Sequence, residues 1–348
     1  MTKETSQLLK GVAILFMIYL HLFNQISNVD LCHNLFIIDN LPIIYILTRA
    51  ANPIPFFLIL SGYGLYKVNV HGDKNKWSRI LKLFFHWWII MIIFITIGYF
   101  IDPSEYPGSF VKFILNGIGY WHSYNNEMWF LLPFTILSSF SFLIFYIVKK
   151  FNWKLVFTCF LILYIISSFI ISRYLTSFLY NHNLFYILII TLQLSFNFTL
   201  GVLAAKHEFF NKFKSLIEKK LELNKKGWLK NAILLIGIFT LICLNCVFKY
   251  NYLYAFLFIT LLTQLDFPKS VSTILVKLGD QSMNMWMIHT WFCYYLFHNF
   301  IYSFKYPILI FLVLTTISYL CSLVINQIVK PVERIFLTPK EIKQKPIL

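Results

Sequence analysis

Lys10-Gly11-Val12-Ala13-Ile14-Leu15-Phe16-Met17-Ile18-Tyr19-Leu20-His21-Leu22-Phe23-Asn24 is the stretch that decides how this chain is read. It is apolar from Val12 to Leu20 and then carries a histidine. An ionisable side chain in hydrocarbon is costly unless it faces a protein interior or a wet cavity, which makes His21 a functional candidate. Eleven residues at about 100° each bring Lys10 and His21 to within about 20° of one helix face. At about 1.5 Å per residue they stand roughly 16 Å apart along the axis, about half a hydrocarbon core. A cation at one membrane surface thus shares a stripe with a histidine near mid-membrane, a geometry that suits a path for a ligand. No small-residue cleavage pattern follows, so the run reads as a retained first helix rather than a signal peptide.

The rest of the chain repeats the membrane signal. Of 348 residues, 59% are hydrophobic and 13% charged, against about 25% charged in soluble domains. The 38 Phe and 21 Tyr suit membrane interfaces. Apolar runs of spanning length fall near 9–28, 53–68, 79–101, 128–148, 154–172, 184–205, 229–248, 251–265, 282–304 and 306–330. They predict an all-α polytopic membrane protein of about ten transmembrane helices. Asn52-Pro53-Ile54-Pro55 marks the start of the second, because proline is tolerated in a helix's first turn.

The net charge of +16 does not point to nucleic acid, since the lysines cluster between apolar runs. With the N-terminus inside, all of the 30 lysines and arginines except Arg49, Lys112, Arg173, Lys249 and Lys305 fall in inner segments. The positive-inside rule then places both termini in the cytoplasm. We divide the chain into a membrane domain, 1–335, and a cytoplasmic tail, 336–348. The basic segment 206–230 reads as a solvated linker drawn to anionic lipid, with an amphipathic surface helix as the alternative. No internal repeat, low-complexity tract or soluble domain is expected. Cys243 and Cys246 form a C-x-x-C within an apolar run, where cysteines behave as small hydrophobes. No metal site is expected.

Several residues could carry chemistry. In Trp77-Ser78-Arg79-Ile80-Leu81-Lys82-Leu83-Phe84-Phe85-His86 the spacing puts Arg79, Lys82 and His86 on one face. The two cations could snorkel to the surface, or with Lys10 they could hold a phosphate-bearing ligand. Ser61-Gly62-Tyr63-Gly64 allows close helix packing. Glu127 and Trp129 stand at the outer interface, with Glu127 either a surface acid or a group that orients an imidazole or a hydroxyl acceptor. Ser282 and His289 lie seven residues apart on one face of the ninth run; His289 is open to a bond with a neighbouring carbonyl or to a direct part in chemistry. G-x-S-x-G, H-E-x-x-H, Walker and G-x-G-x-x-G patterns do not occur, which removes the usual marks of hydride transfer, ATP hydrolysis and metalloproteolysis.

Taken in order, Lys10-Gly11 with His21, Phe56-Phe57-x-x-Leu60-Ser61-Gly62-Tyr63, Arg79-x-x-Lys82, Trp129-Phe130-Leu131, and Gly279-x-x-Ser282 with His289 resemble the acyltransferase-3 family of integral-membrane acyltransferases. The likeness is greatest to the polysaccharide O-acetyltransferases of bacterial surface glycans and runs from Lys10 to about Lys330. It implies acyl transfer from an acyl-CoA, usually acetyl-CoA on the cytoplasmic side, to a sugar hydroxyl. By the same resemblance His21 is the catalytic residue, and Lys10, Arg79 and Lys82 belong to basic motifs associated with the donor. Lysine replaces arginine at 10 and 82, keeping the charge and losing the two-pronged fork. Ser61 or Ser282 would serve as donor to the thioester oxyanion. The fused extracytoplasmic domain of many members is not expected, so the membrane domain would act alone or with separate glycan-synthesis machinery.

The acceptor would be a capsular or other surface polysaccharide, or its lipid-linked precursor, in the plasma membrane of a bacterium. Heavy Phe, Ile, Lys and Asn usage fits an AT-rich bacterial genome. The rival reading is a transporter or glycan exporter with His21 and the cations lining its path. Transporters more often show matching halves with broken helices, which this sequence does not.

Overall fold

The computed structural model describes residues 1–70, 76–174, 183–221, 227–248 and 252–337. Most of the 336–348 tail, and 222–226 of the basic segment, lie outside them. The helices in chain order are α1 (Lys3–Phe23), α2 (Ile26–Val29), α3 (Ile43–Leu47), α4 (Pro53–Val70), α5 (Lys76–Ile101), α6 (Phe110–Gly117), α7 (Leu131–Ser139) and α8 (Ser141–Lys150). There follow α9 (Trp153–Tyr174), α10 (Asn183–Lys206), α11 (Phe209–Leu221), α12 (Gly227–Val247), α13 (Tyr254–Leu262), α14 (Lys269–Thr290), α15 (His298–Tyr302) and α16 (Pro307–Leu337). A two-stranded antiparallel hairpin, Ile37–Ile38 with Leu41–Pro42, precedes α3.

Seven helices among the described residues are long and apolar enough to cross a membrane, or eight if a pair bent by 49° counts as one span. That is an all-α polytopic membrane protein with fewer such helices than the ten apolar runs. The run at 251–265 yields the nine-residue α13. The run at 282–304 belongs to α14, whose charged and amide side chains keep it out of the apolar set, and to a π-helical turn and α15 beyond it. The bend falls in 128–148, where Ser141 Oγ donates to the Ser138 carbonyl at 2.8 Å. Side-chain bonding of this kind loosens the helix ladder.

Two helix pairs form the frame, and both meet backbone to backbone. A Cβ on Gly11 would lie 2.0 Å from the Leu275 carbonyl oxygen, and one on Gly279 would lie 1.9 Å from that of Gln7. α1 and α14 therefore touch where only glycine fits. Gly62 against Phe198 (2.1 Å) and Gly201 against Ile59 (2.0 Å) do the same for α4 and α10.

One end of the bundle collects the basic segments. The N-terminal amine lies 3.2 Å from Tyr63 Oη and 3.2 Å from Asn211 Oδ1, and Lys67 pairs with Glu208 at 3.6 Å. At the same end Gln7 donates to Asp280 at 2.8 Å, and Lys82 on α5 reaches Glu333 on α16 at 3.1 Å. The 206–230 segment departs from the linker expectation. Phe209–Leu221 is a helix, anchored by Phe209 and Phe210, whose rings pack at a tilt against Phe256 at 5.1 and 5.9 Å. Burying those aromatics rewards the helical register that a solvated linker would lack.

Candidate active site

α1 starts under a Thr2 cap, with the Thr2 side chain accepting from Thr5 N at 3.1 Å, and ends at Phe23. His21 therefore occupies its last turn, nearer the end opposite the basic one than the mid-membrane depth expected. It is nonetheless buried, 6% exposed. The cover comes from the chain after α14. There the helix widens into a π-helical turn, Trp291–Tyr295, a local distortion that often marks functional positions. The single Tyr294 hydroxyl proton is shared between the His21 carbonyl at 2.6 Å and Asn24 Oδ1 at 2.9 Å. Tyr302 caps the Leu22 carbonyl at 2.7 Å.

The His21 ring has a partner on each side. Its Nδ1 lies 2.7 Å from Nε2 of His289, and its Nε2 lies 3.2 Å from Glu127 Oε2. Nδ1 of His289 donates in turn to the Met285 carbonyl at 2.9 Å. His289 is fully buried, and Gly11 and Gly279 explain the pairing. In each helix the histidine follows the contact glycine by ten residues, so two parallel helices locked at the glycines raise both rings by about 15 Å to one level.

Glu127 arrives on a different element, the 3-10 turn Asn126–Phe130. Asn125, fully buried, ties that turn to α14. Its amide donates to the Met287 carbonyl at 3.3 Å, and its Oδ1 accepts from Thr290 at 3.0 Å and from Glu127 N at 3.2 Å. The Asn126 N–H donates to Tyr295 Oη at 2.7 Å. Burial lowers the proton affinity of His122, which stands beside this turn and is hydrogen-bonded to Asn126. The resulting trio can accept and return a proton, because an imidazole and a carboxylate share one across a single contact.

The family model described as an acyltransferase domain matches residues 6–327 and so contains all three members of the trio. The chain belongs to the acyltransferase-3 family. It is a multi-pass membrane acyltransferase. Comparison with curated proteins and with solved structures gave no match.

The other residues singled out in this acyltransferase fall into separate places. Lys10 is half-buried on α1, where the Asp280 carboxylate attracts its ammonium group. Arg79 is half-buried one turn before Lys82. Lys82 is an ion-pair member, held by both oxygens of Glu333 at 3.1 Å, rather than an open phosphate clamp. Ser282 donates to the Gly279 carbonyl at 2.8 Å, so its hydroxyl proton is already committed within α14. Ser61 neighbours Gly62 on α4 and forms no hydrogen bond with the trio. Trp129 packs on Phe130 at 5.8 Å, next to the acid instead of within the trio.

A second polar cluster joins α5, α14 and α16. His86, 1% exposed, lies 2.6 Å from Asn284 Oδ1 through Nδ1 and 2.9 Å from Glu333 Oε1 through Nε2. Asn284 Nδ2 donates to the Ser322 carbonyl (3.3 Å) and Asn326 Oδ1 (3.1 Å). A cavity of about 380 Å³ opens beside it, lined by Lys82, Asp280, Gln281, Asn326, Lys330 and Glu333 among others. Reading the sequence missed Glu333 and Asn284, which reach His86 from 247 and 198 residues away. The partnership of His289 with His21 did leave a signal, the glycine-to-histidine interval of ten residues repeated in α1 and α14.

Proposed function

We propose that this membrane acyltransferase moves an acetyl group from acetyl-CoA to a hydroxyl of a surface polysaccharide or its lipid-linked precursor. In this reading it sits in a bacterial plasma membrane with both termini cytoplasmic. The donor enters from the basic end, where Lys82 and Lys330 line the cavity beside Glu333 and Lys10 and Arg79 stand on neighbouring helices. The acceptor meets the acyl group at His21.

The observation that carries the reading is the contact of His21 with Glu127 and His289 near the end opposite those cations. His21 is the catalytic base. The acceptor hydroxyl gives its proton to the free oxygen of Glu127, and the proton Glu127 shares with Nε2 passes to His21, as the hydroxyl oxygen attacks the thioester carbon. The C–S bond then breaks, and the departing sulfur takes the proton back. While the tetrahedral oxyanion exists, the trio holds one extra proton, and its positive charge faces the developing negative one. This route keeps both contacts of the His21 ring, whereas carrying the acyl group on Nε2 would displace Glu127.

Radiolabelled acetyl-CoA added to membranes tests the proposal. Wild type is expected to pass label into glycan, and His21→Ala to lose about 10²–10⁴-fold of that rate while still inserted and folded. Label transfer by His21→Ala at the wild-type rate would sink the scheme. Absence of label with intact glycan export would favour a transporter.

A further inference from the structure

The hydrogen bonds around His21 fix the number of protons as well as the positions of the rings. A carbonyl oxygen only accepts, so the 2.9 Å contact with Met285 requires a proton on Nδ1 of His289. The 2.7 Å contact between the rings holds a second proton, and the contact with Glu127 holds a third. Three protons on two imidazoles and one carboxylate leave the trio without net charge, the state in which burial costs least.

The same contacts choose a nitrogen. With its Nδ1 proton committed to Met285, a neutral His289 offers a lone pair at Nε2. That lone pair takes the Nδ1 proton of His21. The ring planes differ by 19° and the centroids stand 4.9 Å apart, nearly the full reach of two rings joined end to end by the 2.7 Å contact, so the bond runs close to both planes. We propose that His289 is a positioning residue: it holds His21 in the tautomer protonated at Nδ1, leaving Nε2 to work with Glu127. The inference rests on the reading of His21 as the base. His289 touches neither donor nor acceptor, and it gives up no proton. When the pair takes the hydroxyl proton, the Nε2 lone pair of His289 supports the imidazolium form of His21 through the bond already in place. A flipped tautomer would leave Nε2 with no lone pair to receive the proton from Glu127, and two lone pairs would then face each other across the 2.7 Å gap.

The test compares His289→Leu, which removes the acceptor, with His289→Gln, whose amide oxygen can replace it. His289→Leu is expected to lower kcat about 10²-fold or more, with the KM for acetyl-CoA unchanged. His289→Gln should recover most of that rate. Histidine ¹⁵N spectra of the purified proteins supply a readout independent of turnover. Nδ1 of His21 should carry a proton in wild type and in His289→Gln, and exchange between tautomers in His289→Leu. An unprotonated Nδ1 in wild type overturns the inference, as does a His289→Leu enzyme as fast as wild type. So does a His289→Gln enzyme as slow as His289→Leu when both melt with wild type. If wild type transfers no acyl group, the acyl reading fails and the spectra still decide the tautomer.

Discussion

Two buried histidines in this molecule are wired alike at the ring and differ in what surrounds the acid each one meets. His21 contacts Glu127 through Nε2 and a residue of α14, His289, through Nδ1. His86 contacts Glu333 through Nε2 and a residue of α14, Asn284, through Nδ1. Both Nδ1 partners accept, so the difference lies around the acid. Asn284 has its orientation fixed by donating to the Ser322 carbonyl, so it presents an oxygen that can never hold a proton. Lys82 pairs with both oxygens of the Glu333 carboxylate at 3.1 Å. The cluster at the basic end is thus a fixed tie between α5, α14 and α16. The His21 trio has no such cation on its acid among the described residues, so the proton shared by Glu127 and Nε2 of His21 can move between them. Depth in the bundle does not separate the two histidines; the surroundings of the acid do, since Lys82 holds both oxygens of Glu333 and, among the described residues, Glu127 forms its ion pair with His21 alone.

The sharpest way to break this contrast is Glu127→Gln. An amide keeps the shape and can donate to Nε2 of His21, but it cannot accept the travelling proton. We expect the acyl-transfer rate to fall by about 10²–10⁴-fold, with the melting temperature close to wild type. Rate assays paired with thermal unfolding in detergent check this. A destabilised variant that turns over normally would make the trio a tie of the same kind as the His86 cluster.

His86→Leu probes the other side. It leaves Asn284 Oδ1 buried without a donor, which costs roughly 1–3 kcal/mol. Glu333 keeps Lys82. The expected result is a lower melting temperature with turnover per folded molecule nearly unchanged. Loss of rate at full stability would give the protein a second proton-moving histidine and erase the distinction.

How much of this could be read in advance follows from what each feature depends on. The entry of α4 at Pro53 and the shared face of Lys10 and His21 are local, set by proline geometry and helical periodicity, and both were legible. The bend after Phe140 was not, because hydropathy is blind to a serine bonding back to its own helix. Glu127 reaches His21 only because Asn125 bonds Thr290 and Met287, a tertiary contact with no local pattern. Glu333 sits near the end of the long, mostly apolar α16, where a single acid reads as a surface residue. Its role becomes visible only once α5 lies alongside.

Lys82→Met is expected to have the smallest effect on stability and bears on the donor. The Lys82 side chain is 48% exposed, and such a pair is worth about 0–1 kcal/mol. Stability should therefore hardly move, and Glu333 should keep His86 in place. The donor decides what else Lys82 does. If the ammonium touches a CoA phosphate in addition to Glu333, removing it raises the KM for acetyl-CoA and leaves that for a short acyl-thioester lacking the nucleotide unchanged. Equal KM values for both donors in wild type and variant would confine Lys82 to the tie with Glu333. The donor's anion site would then have to be sought at the other cations of the basic end.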